Sequence, residues 1–594
     1  MSDHKGKVLW VDLGDRSHRA IPLEEKVIRD YIGGKGLGAY LLMKHVEKDL
    51  DPLSPASMLV FTVGPLTGTK APTSNRYGVF FKSPLTGIWG ESYSGGFLAP
   101  HIRRAGYQAI MITGISDKPI YLSIIDDQVE FHDASGIWGL DAFEAEDRVR
   151  DDLGDSKVRV MTIGQAGENL VRFACINNDY YRQLGRAGAG ALMGSKRLKA
   201  IAIRGTQQVE IADPERFERL AEEVRHKIPK GAPISTLGTP RMVDLQNALG
   251  AFPTHYWQRG FFAAHERINA PTMKQLIVDR NKACWNCPVA CGKMSSVKEG
   301  EYQGTTVEGP EYETIFAFGG LCEIGDIAAI AKINEVCDRI GVDTITAGNV
   351  IGFAMRAYEL GRMKADFPIE FGDDKAVLKL LDMISRREGI GEVLSLGVRE
   401  AASRLGLEDI AVHVKGLEPP GYDPRAYNGM ALSYAIGVRG ADHLRSAAYG
   451  AESAGISDRF AVLGKGAFVK DQEDKLAIID SMIVCCFVRG AYEWDDLARL
   501  YTHATGIEMT VDDLRTAAMR IIDRARLFST REGIGRKDDA LPKIFHELPF
   551  SEGASRNHVV VKADLDKMVE DYYKARSWNE NGVPSDSYES TRNE

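Results

Sequence analysis

The sequence predicts an α+β fold, a β-rich first third followed by a mostly helical remainder. Short runs of β-branched and aromatic residues separated by turn residues crowd the chain up to about residue 205. From about residue 213 onward, apolar positions recur instead at helical spacing. The length, 594 residues, exceeds what one hydrophobic core can organise, so several domains are expected.

Taken in order, strands are expected at Val8 to Val11, Met58 to Val63, Gly78 to Lys82, Ile110 to Thr113, Val158 to Ile163, Val171 to Ile176 and Leu198 to Ile203. Ile120 to Phe131 reads as a hairpin turning at Asp126-Asp127. Only a few helices interrupt them, such as Leu23 to Tyr31 and Leu37 to His45. The polar segment Gly205 to Gln208 closes the first domain, residues 1–208. Asp213-Pro214 then offers an N-cap with proline at the first helical position. Behind Asp326 as N-cap, Ile327, Ile330, Ile333, Cys337 and Ile340 share one helix face, and a second helix starts near Asp343 and passes Met355. GLEPPGYDPR breaks the helical pattern near Lys415, which divides the rest into 209–415 and 416–594. The last fifteen residues, rich in Ser, Asn and Glu, read as a frayed tail.

Composition excludes several classes. With 44% hydrophobic and 26% charged residues the chain is globular rather than disordered, and a net charge of −9 argues against a nucleic-acid partner. MSDHKGKVLWVDLGD has no apolar signal core, and LAIIDSMIVCCFV is broken by Asp480 well short of a bilayer span, so a cytoplasmic protein is expected. Eight cysteines are too few for a disulfide scaffold, yet three lie within eight residues, a clustering that suggests metal in a reducing compartment.

That cluster is Cys284-Trp-Asn-Cys287-Pro-Val-Ala-Cys291, where C-x2-C-x3-C lets three thiolates converge from one loop. A fourth ligand would come from Cys175, Cys322, Cys337, Cys485 or Cys486. The absence of a second close C-x2-C pair favours an iron-sulfur cubane over structural zinc, with plain buried thiols as the third reading. Three glycine-rich segments, Gly33 to Gly38, Ser94-Gly95-Gly96 and Gly185 to Gly190, are either tight turns and helix ends or backbone cradles for phosphate. In Asp338-Arg-Ile-Gly341-Val-Asp343, Gly341 and Asp343 suit a helix C-cap and N-cap, while the aspartates could equally accept hydrogen bonds from an N–H-rich ring such as a pterin. Glu308, Glu311 and Glu313 in VEGPEYET, and His443 in GVRGADHLRS, are proton-transfer candidates because Gly and Pro flank them rather than exposed charge runs.

These pieces resemble, over nearly the whole chain, the large subunit of the tungsten-containing aldehyde:ferredoxin oxidoreductases. The matching blocks include YIGGKGLGAYLL, GPLTGTKAPTSNRYGVFFKSPLTGIWGESYSGG, IGQAGENLVRFACI, LGRAGAGALMGSKRLKAIAIRG, CWNCPVACG, EGPEYET, NEVCDRIGVDTITAGN, GADHLRS and YYKARSWNENGVPS. The resemblance implies a β domain of two sheets forming the base for a tungsten bis-pyranopterin, covered by two helical domains. It implies a 4Fe-4S cluster on Cys284, Cys287, Cys291 and Cys485. The segment carrying Cys485, Asp480-Ser-Met-Ile-Val-Cys485, departs from the family's Asp-x-x-Gly-x-Cys at Ile483, and Cys486 is a competing neighbour. Asp338, Gly341 and Asp343 would contact one pterin and Asp480 the other, with Arg76 bridging cluster and pterin. A magnesium ion joining the two pterin phosphates would lie near Gly95, Gly96, Arg186 and Ala187.

The resemblance also makes Glu313 the active-site glutamate that moves a proton and His443 the active-site histidine that polarises the carbonyl, with Tyr312 and Tyr422 near the substrate. Cys322 is a rival metal ligand by analogy with a ring-reducing branch. The implied reaction oxidises an aldehyde to a carboxylic acid and passes electrons through the cluster to ferredoxin, or to a ferredoxin-like small subunit feeding a flavoprotein; a homodimer is compatible with it. The alternatives are a low-potential reductase of carboxylates or other unsaturated substrates, and a zinc-stapled binding protein without redox chemistry.

Overall fold

A computed structural model describes residues 6–585; residues 1–5 and 586–594, which hold the first residues of the N-terminal segment and most of the polar tail, lie outside them. The fold is α+β. The strands β1 (Lys7–Asp12), β2 (Ser17–Pro22), β3 (Leu59–Thr62), β4 (Tyr77–Lys82), β5 (Trp89–Ser94) and β6 (Tyr107–Thr113) form one sheet in the order β2-β1-β6-β3-β4-β5. A second sheet runs β11-β10-β9-β12-β7-β8, from β7 (Ile120–Ile125), β8 (Gln128–Asp133), β9 (Arg159–Thr162), β10 (Ile176–Asn178), β11 (Arg182–Leu184) and β12 (Leu198–Arg204). Each sheet is antiparallel except for one parallel pair, β1 with β6 and β7 with β12.

Alternation decides how the sheets pack. Leu9, Val11, Leu59, Phe61, Val79 and Ile110 of the first sheet share a buried cluster with Ile120, Leu122, Met161 and Ile201 of the second. Their sequence neighbours Val8, Val60, Phe80 and Met111 point the other way, into the large core shared with the helices. The first sheet is therefore covered on both faces, one by the second sheet and one by helices.

Two expectations change. Val171 to Cys175 is not a strand, because its backbone bonds to the helical part: Arg172 N–H to Ser395 O at 2.9 Å, Cys175 N–H to Gly341 O at 2.9 Å, and Asp343 N–H to Phe173 O at 3.1 Å. The glycines of Gly33 to Gly38 do not form a phosphate loop, since Gly34 to Gly38 lie inside the helix Gly34–His45, where they let backbones touch; a Cβ on Gly34 would stand 2.2 Å from Asp480 O.

The rest is mainly helical, as expected, with Asp213 capping Pro214–Lys227 through its bond from Arg216 N–H. A small sheet of β13 (Val278–Lys282), β14 (Gly292–Ser296) and β15 (Thr306–Glu308) interrupts it, and the cysteine loop connects its first two strands. Behind the site, Asp539 binds Lys415 at 2.8 Å and Arg526 at 2.6 Å, all three side chains 0% exposed. No described helix is long and apolar enough to cross a membrane.

Candidate active site

Where the first sheet meets the helical cover, a cavity of about 950 Å³ opens. The cysteines reach it from two directions. Cys284, Cys287 and Cys291 come from the β13–β14 loop, and Cys485 and Cys486 follow the long helix Lys465–Met482. Thr73 ties the two segments together: its N–H donates to Asn286 O at 3.0 Å, and its carbonyl accepts from Cys485 N–H at 3.3 Å. Asn75 adds a side-chain bond to Trp285 O at 2.7 Å. A guanidinium N–H of Arg76 points at Cys485 Sγ, 3.4 Å away. The hydrogen bond from the Cys486 thiol, and then Arg76, hold Cys485 well below the usual thiol value, whereas Cys486 is pushed well above it by that same bond and by burial. Cys485 is therefore the member of the adjacent pair whose sulfur Arg76 contacts.

The other cysteines lie elsewhere. Cys322 is buried against Ala317 O at 3.5 Å and Gly348 O at 3.6 Å and does not line the cavity, nor do Cys175 and Cys337. None of the eight cysteines, all among the described residues, is in a disulfide.

Glu313 follows the cavity wall at the helix turn Tyr312–Thr314, which widens at once into a π-helix, Ile315–Gly320. His443 arrives on the loop after Asn428–Ile436, turned inward by Asp442, whose carboxylate accepts from Leu444 N–H at 2.6 Å. His443 Nε2 and Glu313 Oε1 stand 3.5 Å apart across 130 residues of chain. Burial pushes the Glu313 carboxyl up to about 8, against the bond from Gly421 N–H and the charge of Arg186. Burial, then Arg186, Arg439 and Arg445, hold His443 well below the usual histidine range. Both shifts disfavour charge on the pair.

The two tyrosines brace this pair. The Tyr312 hydroxyl donates to Gly421 O, while Gly421 N–H donates to Glu313 Oε2 at 3.0 Å, so adjacent residues grip the loop that carries Tyr422. Tyr422 stacks on Tyr449 at 3.8 Å and lies 5.5 Å from the His443 ring.

Of the residues expected at a cofactor, Arg76, Gly95, Arg186, Asp338, Asp343 and Asp480 line the same cavity, whereas Gly96, Ala187 and Gly341 do not. Gly96 O accepts from Trp285 N–H at 3.1 Å, and Ala187 O from Ser83 at 2.7 Å. Gly341 is the helix C-cap at φ 77°, and Asp343 caps the next helix through Ile345 and Thr346 N–H, so the motif's structural reading holds in full. Asp338 accepts from Gln183 at 2.6 Å and Asn334 at 3.0 Å. Glu308 pairs with Lys282 at 3.1 Å and with Arg182, and Glu311 accepts from Thr239, so both are anchored structurally beside the cavity.

Sequence reading overlooked a buried ionic wall. Arg445 binds Asp480 at 2.6 Å and Glu91 at 3.4 Å, and Glu91 also binds Lys35 at 3.0 Å. The available signal was charge inside apolar or glycine-rich runs, Lys35 in YIGGKGLG and Glu91 in WGESYS. Tyr449 and Glu418 were overlooked as well. Several buried polar atoms at the site make no hydrogen bond, among them Arg76 Nε, Glu313 Oε1, Arg439 Nε, His443 Nδ1 and Arg445 Nε. Orphaned donors on three arginines, around a cavity larger than a small substrate needs, fit a large anionic cofactor.

Such a cavity, walled by thiols and by a carboxyl and an imidazole in contact, defines an enzyme with an internal reaction centre, and comparison with known proteins gives its class. The family model described as the N-terminal domain of aldehyde ferredoxin oxidoreductase matches residues 8–205, and the one for its domains 2 and 3 matches residues 218–590. The chain is 36% identical over 604 residues to the tungsten-containing aldehyde ferredoxin oxidoreductase of Pyrococcus furiosus, covering 98% of each. It is 37% identical over 606 residues to the enzyme of that name from Thermococcus kodakarensis, again covering 98% of each. Among solved structures, the active-site complex BamBC of benzoyl coenzyme A reductase with 1,5-dienoyl-CoA superposes with a TM-score of 0.85 at 26% identity, over 98% of this chain and 95% of that one. The chain belongs to the aldehyde ferredoxin oxidoreductase family and is an oxidoreductase.

Proposed function

We propose that the enzyme oxidises an aldehyde to the carboxylic acid, with water supplying the oxygen and two electrons leaving through an iron-sulfur cluster. The observation that carries this reading is the Glu313–His443 pair, 3.5 Å apart, facing the cavity that the cysteines also line. Cys284, Cys287, Cys291 and Cys485 would hold a 4Fe-4S cluster, with Arg76 beside it. Asp338, Asp343 and Asp480 would contact the two pterins of a tungsten bis-pyranopterin. A magnesium ion accompanying the pterins would be approached from the backbone of Gly95 and Arg186, the two of the four expected residues that face the cavity.

When bound, the tungsten centre supplies the two-electron couple and Lewis acidity. The chain's own residues do the rest. His443 polarises the carbonyl oxygen through a ring N–H, and Glu313, in its deprotonated form, takes a proton at Oε1 as the hydrated carbon is oxidised. Overall, aldehyde plus water gives acid, two electrons and two protons. Tyr422 and Tyr312 keep the loop over the substrate closed to bulk water.

The domain limits near residues 208 and 415, a cytoplasmic setting, and ferredoxin or a ferredoxin-like subunit with a flavoprotein as acceptor belong to the same proposal. The decisive experiment is an anaerobic assay of the purified chain with aldehyde. A viologen dye is expected to be reduced and NAD not; NAD reduction by the isolated chain would refute a separate acceptor. Metal analysis should find about four irons and four labile sulfides per tungsten. C485S is expected to lose the iron and C486S to keep it; the reverse would reassign the fourth thiolate. The likeness to the reductase complex favours a second reading, reduction of a carboxylate or another unsaturated substrate, which product analysis separates from the first.

A further inference from the structure

Arg186 leaves the glycine-rich loop after β11 and runs beneath the site with its side chain only 8% exposed. Its Nη1 donates to Ala441 O at 3.0 Å, its Nη2 to Glu418 O at 2.6 Å, and its Nε to Asp343 Oδ2 at 3.3 Å. Each partner lies close in sequence to a working residue. Ala441 is two residues before His443, and Glu418 is three before Gly421, whose N–H holds Glu313, and four before Tyr422. Glu418 is itself fixed, its carboxylate accepting from Val398 N–H at 2.8 Å and Thr346 Oγ1 at 3.0 Å. The backbone of Arg186 is pinned too, its N–H donating to Ser92 Oγ at 3.3 Å.

We infer that the Arg186 side chain is a positioning residue for the reaction proposed above, on which this inference rests: one planar guanidinium sets the spacing between the His443 segment, the Tyr422 loop and the Asp343 helix cap. The fork matters as much as the charge, because three acceptors in three directions match a guanidinium and not an ammonium. Backbone carbonyls buried without this donor would lose their partners and the loops their spacing. Displacements near 1 Å in such a site cost roughly 100-fold in rate.

The charge has a separate signature. Glu313 is faced by Arg186, Asp343, His443 and the hydroxyls of Tyr312, Tyr422, Tyr434 and Tyr449. His443 is faced by Arg186, Arg439, Arg445 and Glu313. Removing the Arg186 cation lets both Glu313 and His443 hold protons more tightly, so the pH–rate profile moves to higher pH. A lysine keeps the charge and leaves the profile in place.

The test compares R186Q and R186K with the parent holoenzyme by metal content, kcat and KM against pH, and amide hydrogen exchange over residues 416–426 and 438–446. In R186Q, kcat is expected to fall roughly 30-fold or more, with the profile displaced to higher pH and exchange faster in both segments. In R186K, kcat falls roughly 10-fold, the profile stays as in the parent, and exchange rises. A fully metallated R186Q within about twofold of the parent, or one slowed with its profile and exchange unmoved, overturns the inference. If R186Q does not fold, R186K decides: parental kcat and exchange overturn it, and reduced kcat with faster exchange supports it. An inactive parent defeats the proposed reaction instead, and hydrogen exchange then judges the positioning role by itself.

Discussion

Glu313→Gln is expected to lower aldehyde turnover by roughly 100-fold or more with iron and tungsten still bound, the usual share of a positioned acid-base group. The amide keeps the shape and can still accept from Gly421 N–H, so the loop bearing Tyr422 stays in place and only proton transfer is lost. The pH profile carries the same information. A carboxyl held at about 8 is mostly protonated at pH 7, so as a base it becomes competent only as pH rises. Turnover should therefore climb about tenfold per pH unit below 8 and level off above it, and this limb should vanish in E313Q. A metallated E313Q with parental turnover would remove Glu313 from the chemistry; a limb that persists in a slowed variant would assign it to another group.

Asp539→Ala is expected to destabilise the protein by about 3–5 kcal/mol, because it strands Lys415 and Arg526 as buried cations with no counter-ion. Both lie within 2.8 Å of the Asp539 carboxylate and none of the three is exposed. The two cations hold the Asp539 carboxyl at about 2, below its unfolded value near 4. Its contribution is thus fully present above pH ~4 and is lost as pH falls toward 2, a cause of acid lability in this part of the fold. Chemical denaturation of D539A beside the triple variant D539L/K415M/R526M checks the account. The single change should be much the worse of the two, since an apolar trio leaves no charge unpaired.

The sequence displays the division of the fold because strands and helices write different periods, and the two-sheet base followed by helices matches that pattern. It hides the elements whose burial is not apolar. β5, WGESYS, is a buried strand carrying Glu91, and β2, SHRAIP, is an exposed edge strand, so neither shows the apolar run that reveals β7. Val171 to Cys175 misleads in the opposite sense, with strand-like residues whose hydrogen bonds go to the helical layer. At the site, the cysteine spacing and the Glu and His blocks are local signals and were readable. The wall of Lys35, Glu91, Arg445 and Asp480 is not, because it joins residues 35 to 480, and only folding brings such distant charges into register.

Arg76 meets Cys485 across 409 positions of chain, and Thr73 bonds both cysteine segments. The lining of the cavity extends to Gly490, nearly five-sixths of the way along the polypeptide. Closure is therefore a late event dominated by non-local contacts, the slow kind. A group held in that interior is contacted from segments hundreds of residues apart, so its binding stabilises the assembled fold rather than any one segment.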